Sequence, residues 1–446
     1  MPETVVRRYK LDYEDSLSTA NRSRLEQVEE CAGYPLECLS PTTFTYQTGT
    51  IGLDDEVSLG TTIQPGARPL DINGDGRTDL AFPASTGKWA YRLANASGGY
   101  DPVQTTAIDS TNSAEAIIID HNSDGLEDLL VPYSGGTWWA IRGSTTGLLP
   151  PINTGAADGS TAGNAAALDM NGDGLRDLAM VTVTNGGTPS EPWEIYRTQV
   201  VLGGGAGVFS VMNDTSVGLP IDMNGDGYTD IAYRVYSGPL LFRLSTGKAF
   251  GVANTGQSLA NLSFERAVAL DWNNDGMQDL LIPNTSTATW FYLRSVGESF
   301  ATGVDTNLGW SGTDLWSTFV IDSNGDGLQD IGYSQTVSGS TAYAFRAHSG
   351  VMPDLMTTAT DGHGNSVTFN YAPIAQGPAI YTKGTGATFP NQDYIGPLHV
   401  VTSTVVSTGV GSDTFTTTYT YGKALFHAQG RGLSPFESVI SQDSRN

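Results

Sequence analysis

One decapeptide recurs six times along the 446-residue chain, and it constrains the fold more than any other feature. Its copies are Asp71–Leu80 (DINGDGRTDL), Asp120–Leu129 (DHNSDGLEDL), Asp169–Leu178 (DMNGDGLRDL), Asp222–Ile231 (DMNGDGYTDI), Asp271–Leu280 (DWNNDGMQDL) and Asp322–Ile331 (DSNGDGLQDI). Their starts are 49, 49, 53, 49 and 51 residues apart. An apolar residue precedes each copy, and an apolar segment follows it. About ten residues later comes an aromatic-rich stretch ending in arginine, as in Trp89–Arg92, Trp139–Arg142 and Trp290–Arg294. A unit of about 50 residues with three or four short strands cannot bury its own faces, but stacked neighbours can. A period of 40–50 residues is that of propeller blades. The chain is therefore expected to be all-β, a six-bladed propeller over residues 49–353. A seventh blade shared between the chain ends is the alternative. β-rich flanks are expected over 1–48 and 354–446, where Thr, Val and Tyr alternate as in half-buried strands.

Within the decapeptide, positions 1, 5 and 9 are always Asp, position 3 is always Asn and position 6 is always Gly. Gly suits a sharp turn with φ > 0. Three carboxylates, one amide oxygen and the position-7 carbonyl form a hard-oxygen donor set, which suits Ca²⁺ with its six to eight oxygen ligands. Zinc would want His or Cys, and none is placed here. Clustered carboxylates also repel one another unless a cation lies among them. The expected ligands are Asp71, Asn73, Asp75, Arg77 and Asp79; Asp120, Asn122, Asp124, Leu126 and Asp128; Asp169, Asn171, Asp173, Leu175 and Asp177; Asp222, Asn224, Asp226, Tyr228 and Asp230; Asp271, Asn273, Asp275, Met277 and Asp279; and Asp322, Asn324, Asp326, Leu328 and Asp330. The position-7 residues would act through their carbonyls. About six structural calcium ions are implied. A plain Asx-rich turn is the bland alternative. An EF-hand needs a Glu at position 12 and a following helix, but Phe82, Val131, Met180, Tyr233, Ile282 and Tyr333 stand there.

The net charge is −25, from 47 acids against 22 bases. Such a chain should repel nucleic acid and anionic membrane surfaces. No apolar run approaches the length needed to span a bilayer, so membrane insertion is not expected. Met1 to Lys10 lacks a signal-peptide core, so either the chain is a fragment or export uses another route. Cys31 and Cys38 are either a local disulfide or two buried thiols.

Catalytic signatures are missing from the sequence. None of the five histidines (His121, His348, His363, His399, His427) lies in an HExxH or triad-like setting. His121, at the variable second loop position, is expected to face solvent. Ser85–Lys88 and Ser245–Lys248 lack the remaining residues of a phosphate loop and read as turns. Arg92, Arg142, Arg197, Arg243, Arg294 and Arg346 either bridge to a carboxylate or a neighbouring blade, or lie at exposed strand ends. The Trp138-Trp139 pair is expected in the core rather than in a sugar site.

The loops, aromatic strands and Gly-rich turns resemble FG-GAP/VCBS-type propeller repeats, as in the integrin α-subunit propeller. That resemblance implies structural Ca²⁺. The flanks narrow it further. Tyr9-x-Leu11-x-Tyr13, Arg22-Ser-Arg-Leu25, the two cysteines before Phe44-Thr-Tyr46, and Gly430-Arg-Gly with Phe436 resemble the B component of Tc toxin complexes and related Rhs proteins. Ser434-Pro435 departs from that pattern, as do the short N-terminal region and the lack of a YD-repeat array. The resemblance implies a secreted, non-catalytic module whose propeller docks a pore-forming protein partner and gates a toxin shell. Two other readings are a Ca²⁺-dependent adhesin or lectin-like propeller, and a propeller hydrolase or lyase.

Overall fold

A computed structural model describes residues 7–445, apart from 15–19, 158–164, 169–176, 184–194, 207–218 and shorter stretches elsewhere. Between 156 and 218 it describes strand backbones and the side chain of Ala167 only. The described residues form β-sheets joined by turns and three short 3₁₀ segments, with no α-helix among them.

Six four-stranded antiparallel sheets follow one another along the chain. The first comprises Arg68–Leu70, Asp79–Pro83, Lys88–Arg92 and Gln104–Asp109. The second to fifth begin at Ile117, Ala165, Leu219 and Val268 and repeat the same meander. The sixth takes Leu315–Ile321, Asp330–Val337 and Ser340–Arg346 from its own repeat. Its fourth strand, Val57–Gly60, comes from before the first sheet. Each decapeptide joins the first strand of its sheet to the second. In all six, the residue before the loop pairs with loop position 9: Leu70 with Asp79, Ile119 with Asp128, Leu168 with Asp177, Ile221 with Asp230, Leu270 with Asp279 and Ile321 with Asp330. One register thus fixes every loop on the same edge of its sheet.

The apolar faces are buried between sheets, as a unit too thin to hold its own core requires. Leu70, Ile72 and Trp89 of the first sheet meet Leu129, Val131 and Ile141 of the second. Met223 and Phe242 of the fourth meet Leu280 and Ile282 of the fifth. Trp272 and Trp290 of the fifth meet Ile331 and Tyr333 of the sixth. Tyr343 of the sixth packs on Leu80 and Phe82 of the first, and its hydroxyl oxygen accepts the N–H groups of Gly66 and Ala67 at 3.1 and 3.2 Å. Trp138 is buried, as expected of a core residue. Described position-12 residues lie buried in strands, which leaves no EF-hand.

The flanks meet in one ten-stranded sheet. Its junction is Thr42–Tyr46 against Met356–Thr360, with Tyr46 opposite Met356 and Thr43 opposite Thr360. Cys31 and Cys38 face each other on paired strands and form a disulfide. A three-stranded sheet of Asn391–Asp393, Leu425–His427 and Gly432–Leu433 lies beside the loop of the second sheet.

Candidate metal centres

The five described loops share one hydrogen-bond pattern; the loop at 169–176, with expected ligands Asp169, Asn171, Asp173 and Leu175 and the Asp177 side chain, lies outside the described residues. Positions 4 and 6 turn the backbone left-handed: φ is +68° at Gly74 and +81° at Gly76, and +58° at Asn274 and +90° at Gly276. That turn aims amide N–H groups at the first aspartate. Asp71 accepts from Gly74 and Asp75 through Oδ1 at 2.8 and 3.1 Å, and from Gly76 through Oδ2 at 2.8 Å. The position-5 carboxylate accepts from the position-7 N–H, as Asp226 does from Tyr228 at 2.9 Å. The side-chain amide of the asparagine at position 3 donates to the same carboxylate, at 2.8–3.0 Å in all five loops. The position-9 carboxylate accepts the N–H of position 2 and a second N–H beyond the next strand. For Asp79 these donors are Ile72 at 3.0 Å and Ala94 at 2.7 Å.

Asp79, Asp128, Asp230, Asp279 and Asp330 are each 0% exposed, and among the described residues none forms an ion pair with a basic side chain. Burial pushes Asp79 up to about 8 and Asp128 up to about 7, and their neighbouring loop aspartates push the same way. Asp322 is raised to about 7 and Asp271 to about 6 by the same causes. An unpaired carboxylate out of water is costly, and this donor set is hard oxygen throughout. It suits a divalent calcium ion. The carboxylates nevertheless stand apart: among the described residues, no loop brings one oxygen from each of its three acids within 4.8 Å of one another. The one group that does cluster, Glu29 with Cys31 and Cys38, is withdrawn from metal binding by the disulfide.

One expectation about side chains needs correction. His121 does not face solvent, because both ring nitrogens are buried and lack hydrogen-bond partners. The reason is backbone geometry. The position-2 N–H is tied to the position-9 carboxylate, which turns the side chain under the loop. Ile72, Met223, Trp272 and Ser323 are buried at the same position. Of the repeated arginines, Arg92 donates to the carbonyls of Asp101 and Tyr100, and Arg346 to that of Asp54, so both brace backbone. Arg243 lies over the Tyr233 ring at 5.1 Å. Arg197 lies outside the described side chains.

Two arrangements escape the sequence. The C-terminal flank reaches onto the loops: Lys383 donates to the Gly74 carbonyl at 2.9 Å and Gln392 to Asp120 at 3.1 Å. Position 8 also links one loop to the next, and a polar acceptor at most position-8 sites (Thr78, Glu127, Thr229, Gln278, Gln329) is the signal that could have revealed it. Between the six sheets lies a cavity of about 650 Å³, lined by one residue from each first strand (Pro69, Ile118, Ala167, Pro220, Ala269, Val320) and by these position-8 residues.

Residues 120–180 match the family described as an FG-GAP-like repeat. Residues 306–446 match the insecticide toxin TcdB middle/N-terminal region. The resemblance to FG-GAP repeats and to Tc-toxin components is thus carried by these two segments. No curated protein matches the chain in sequence. Among solved structures, the chain resembles a Photorhabdus luminescens Tc holotoxin pore, with a TM-score of 0.69 and 18% identity over 99% of this chain and 21% of that one. It also resembles a TcdB2–TccC3–Cdc42 complex (TM-score 0.62, 17% identity, 98% of this chain and 22% of that one) and TcdB2–TccC3 (0.59, 18%, 99% and 22%). The likeness is one of fold, and the chain spans about a fifth of those chains.

Proposed function

We propose that this chain is a non-catalytic, calcium-stabilised module of a secreted Tc/Rhs-type toxin. In this reading residues 49–353 form a closed six-bladed propeller, and the flanks, 1–48 and 354–446, form the sheet that leads into the toxin shell. The propeller acts as a docking and gating scaffold for a pore-forming protein partner. The observation that carries the reading is the TcdB-region match over 306–446, because it runs from the last strand of the fifth sheet through the sixth into the flank and so joins sheets and flank in one unit. Closure is supported by Val57–Gly60 completing the sixth sheet and by Tyr343 bonding the first. Gating is supported by the cavity between the six sheets. No helix among the described residues is long and apolar enough to cross a membrane, and in this reading the pore belongs to the partner.

Calcium, at up to one ion per loop, would supply the positive charge that the buried carboxylates lack. The aspartates at positions 1, 5 and 9, the asparagine at position 3 and the position-7 carbonyl would hold it. Backbone N–H groups keep these carboxylates oriented, so little order is lost on binding.

The test is binding of the purified chain, in calcium, to the pore-forming subunit of a Tc complex from the same source, measured by biolayer interferometry. Saturable binding that a loop-face antibody blocks is expected. No binding by a chain that melts cooperatively in calcium would overturn the scaffold role.

A further inference from the structure

The loops are not independent. In four of the described loops, position 8 clasps position 1 of the loop on the preceding sheet. Gln278 donates its N–H to the Asp222 carbonyl at 2.7 Å, and its Oε1 accepts the Asp222 N–H at 2.7 Å. Glu127 makes the same pair with Asp71, at 3.4 and 2.8 Å. Thr78 does so with Asp322, at 2.8 and 2.9 Å, across the seam between the sixth and first sheets. Gln329 accepts the Asp271 N–H at 2.6 Å. The side chains differ (amide, carboxylate, hydroxyl), but each presents an oxygen to the same backbone N–H. A sixth position-8 residue, Arg176, lies outside the described residues, and its side chain carries no acceptor.

Position 8 lies between two ligands of its own loop, the position-7 carbonyl and the position-9 carboxylate. Position 1 is the first ligand of the neighbouring loop. Resting on the calcium reading above, we infer that the position-8 side chains are positioning residues for the metal of the adjacent loop, so that calcium in one loop raises the affinity of the loop on the preceding sheet. Filling a loop fixes position 8, and position 8 fixes the backbone that aims the next loop's first carboxylate. Groups that orient metal ligands in this way are commonly worth about 10–100-fold in affinity. The coupling runs in one direction along the sheets for the side-chain contact. As a binding free energy it is reciprocal between any two sites.

Two loops carry their own optical reporters. Tyr228 is position 7 of the loop at 222–231, and Trp272 is position 2 of the loop at 271–280. Terbium(III) titrations of the full chain, read by tyrosine- and tryptophan-sensitised emission, follow these loops separately, with Tyr228→Phe and Trp272→Phe assigning the signals. Gln278→Met is expected to weaken the Tyr228-reported site about tenfold and the Trp272-reported site less, through the reciprocal coupling alone. Gln329→Met should do the reverse. Gln278→Glu should restore the Tyr228 site, because Glu127 performs this task elsewhere in the ring. Unchanged midpoints, or each substitution weakening its own loop instead of its neighbour, overturn the inference. A wild-type chain with no sensitised emission that calcium can displace would defeat the calcium reading itself, a different outcome from unchanged midpoints. Melting each variant in saturating calcium checks folding. If Gln278→Met does not fold, the Gln329→Met and Gln278→Glu pair still decides.

Discussion

Replacing Asp79 by Asn separates a metal ligand from a simple turn-forming acceptor, because only a ligand makes the effect of the substitution depend on calcium. The Asp79 carboxylate is fully buried. It accepts the N–H groups of Ile72 at 3.0 Å and Ala94 at 2.7 Å. Burial first, then Asp71 and Asp75, raise it from 3.8 to about 8. A carboxyl raised in the folded state binds its proton more tightly folded than unfolded. Its stabilising contribution is therefore complete below pH 3.8 and is lost as pH rises through about 8. Keeping it ionised in the calcium-free fold at pH 8 costs on the order of 5 kcal/mol as an upper bound. The Asn amide avoids that cost but can accept only one of the two N–H groups comfortably, a loss of about 1–3 kcal/mol. In EGTA at pH 8, Asp79→Asn should thus stabilise the fold by roughly 2–4 kcal/mol. In calcium the gain should disappear. A site filled at 100 times its Kd contributes about 2.7 kcal/mol, and forfeiting it leaves the variant within about 1 kcal/mol of the wild-type chain. Urea unfolding of both proteins, with calcium and with EGTA, gives the four free energies. An equal change in both conditions would refute the reasoning and leave Asp79 as a hydrogen-bond acceptor in an Asx-rich turn.

Three further outcomes follow from the same geometry. The wild-type chain in EGTA should melt higher at pH 5 than at pH 8, because Asp128, Asp279 and Asp322, each raised to about 7, carry protons at the lower pH. In calcium the order should invert, since protons compete with the ion, and calorimetry at the two pH values checks both. Tyr343→Phe removes the acceptor for the Gly66 and Ala67 N–H groups and should cost about 2–4 kcal/mol by chemical denaturation, whereas a ring that does not close at this seam would lose little. Reducing Cys31–Cys38 should destabilise the flanking sheet by roughly 2–3 kcal/mol, visible as faster amide exchange in Arg24–Ala32 with exchange in the six four-stranded sheets unchanged.

What the sequence made legible follows the range of the interactions that wrote it. The loops could be read because their determinants lie within ten residues: a left-handed turn needs Gly at position 6, and N–H groups at positions 4 to 7 need carboxylates at positions 1 and 5. Six repeats of one local solution made the all-β class and the sheet count readable as well. The inward turn of His121 was not readable from one copy of position 2, since Ile, His, Met, Trp and Ser all occupy it. What unites them is a backbone bond seven residues along, which constrains direction and leaves chemistry free. Position 8 is the converse: its side chains keep an acceptor because their partner is a backbone N–H about fifty residues away, on another sheet. The flanks were harder still, because Tyr46 meets Met356 across all six sheets of the chain, and alternating Thr and Val do not say which strand is the neighbour. Those same long-range pairs join the two flanks in one sheet. The Lys383 and Gln392 bonds to the loops at 71–80 and 120–129 set the C-terminal flank directly against the proposed metal centres.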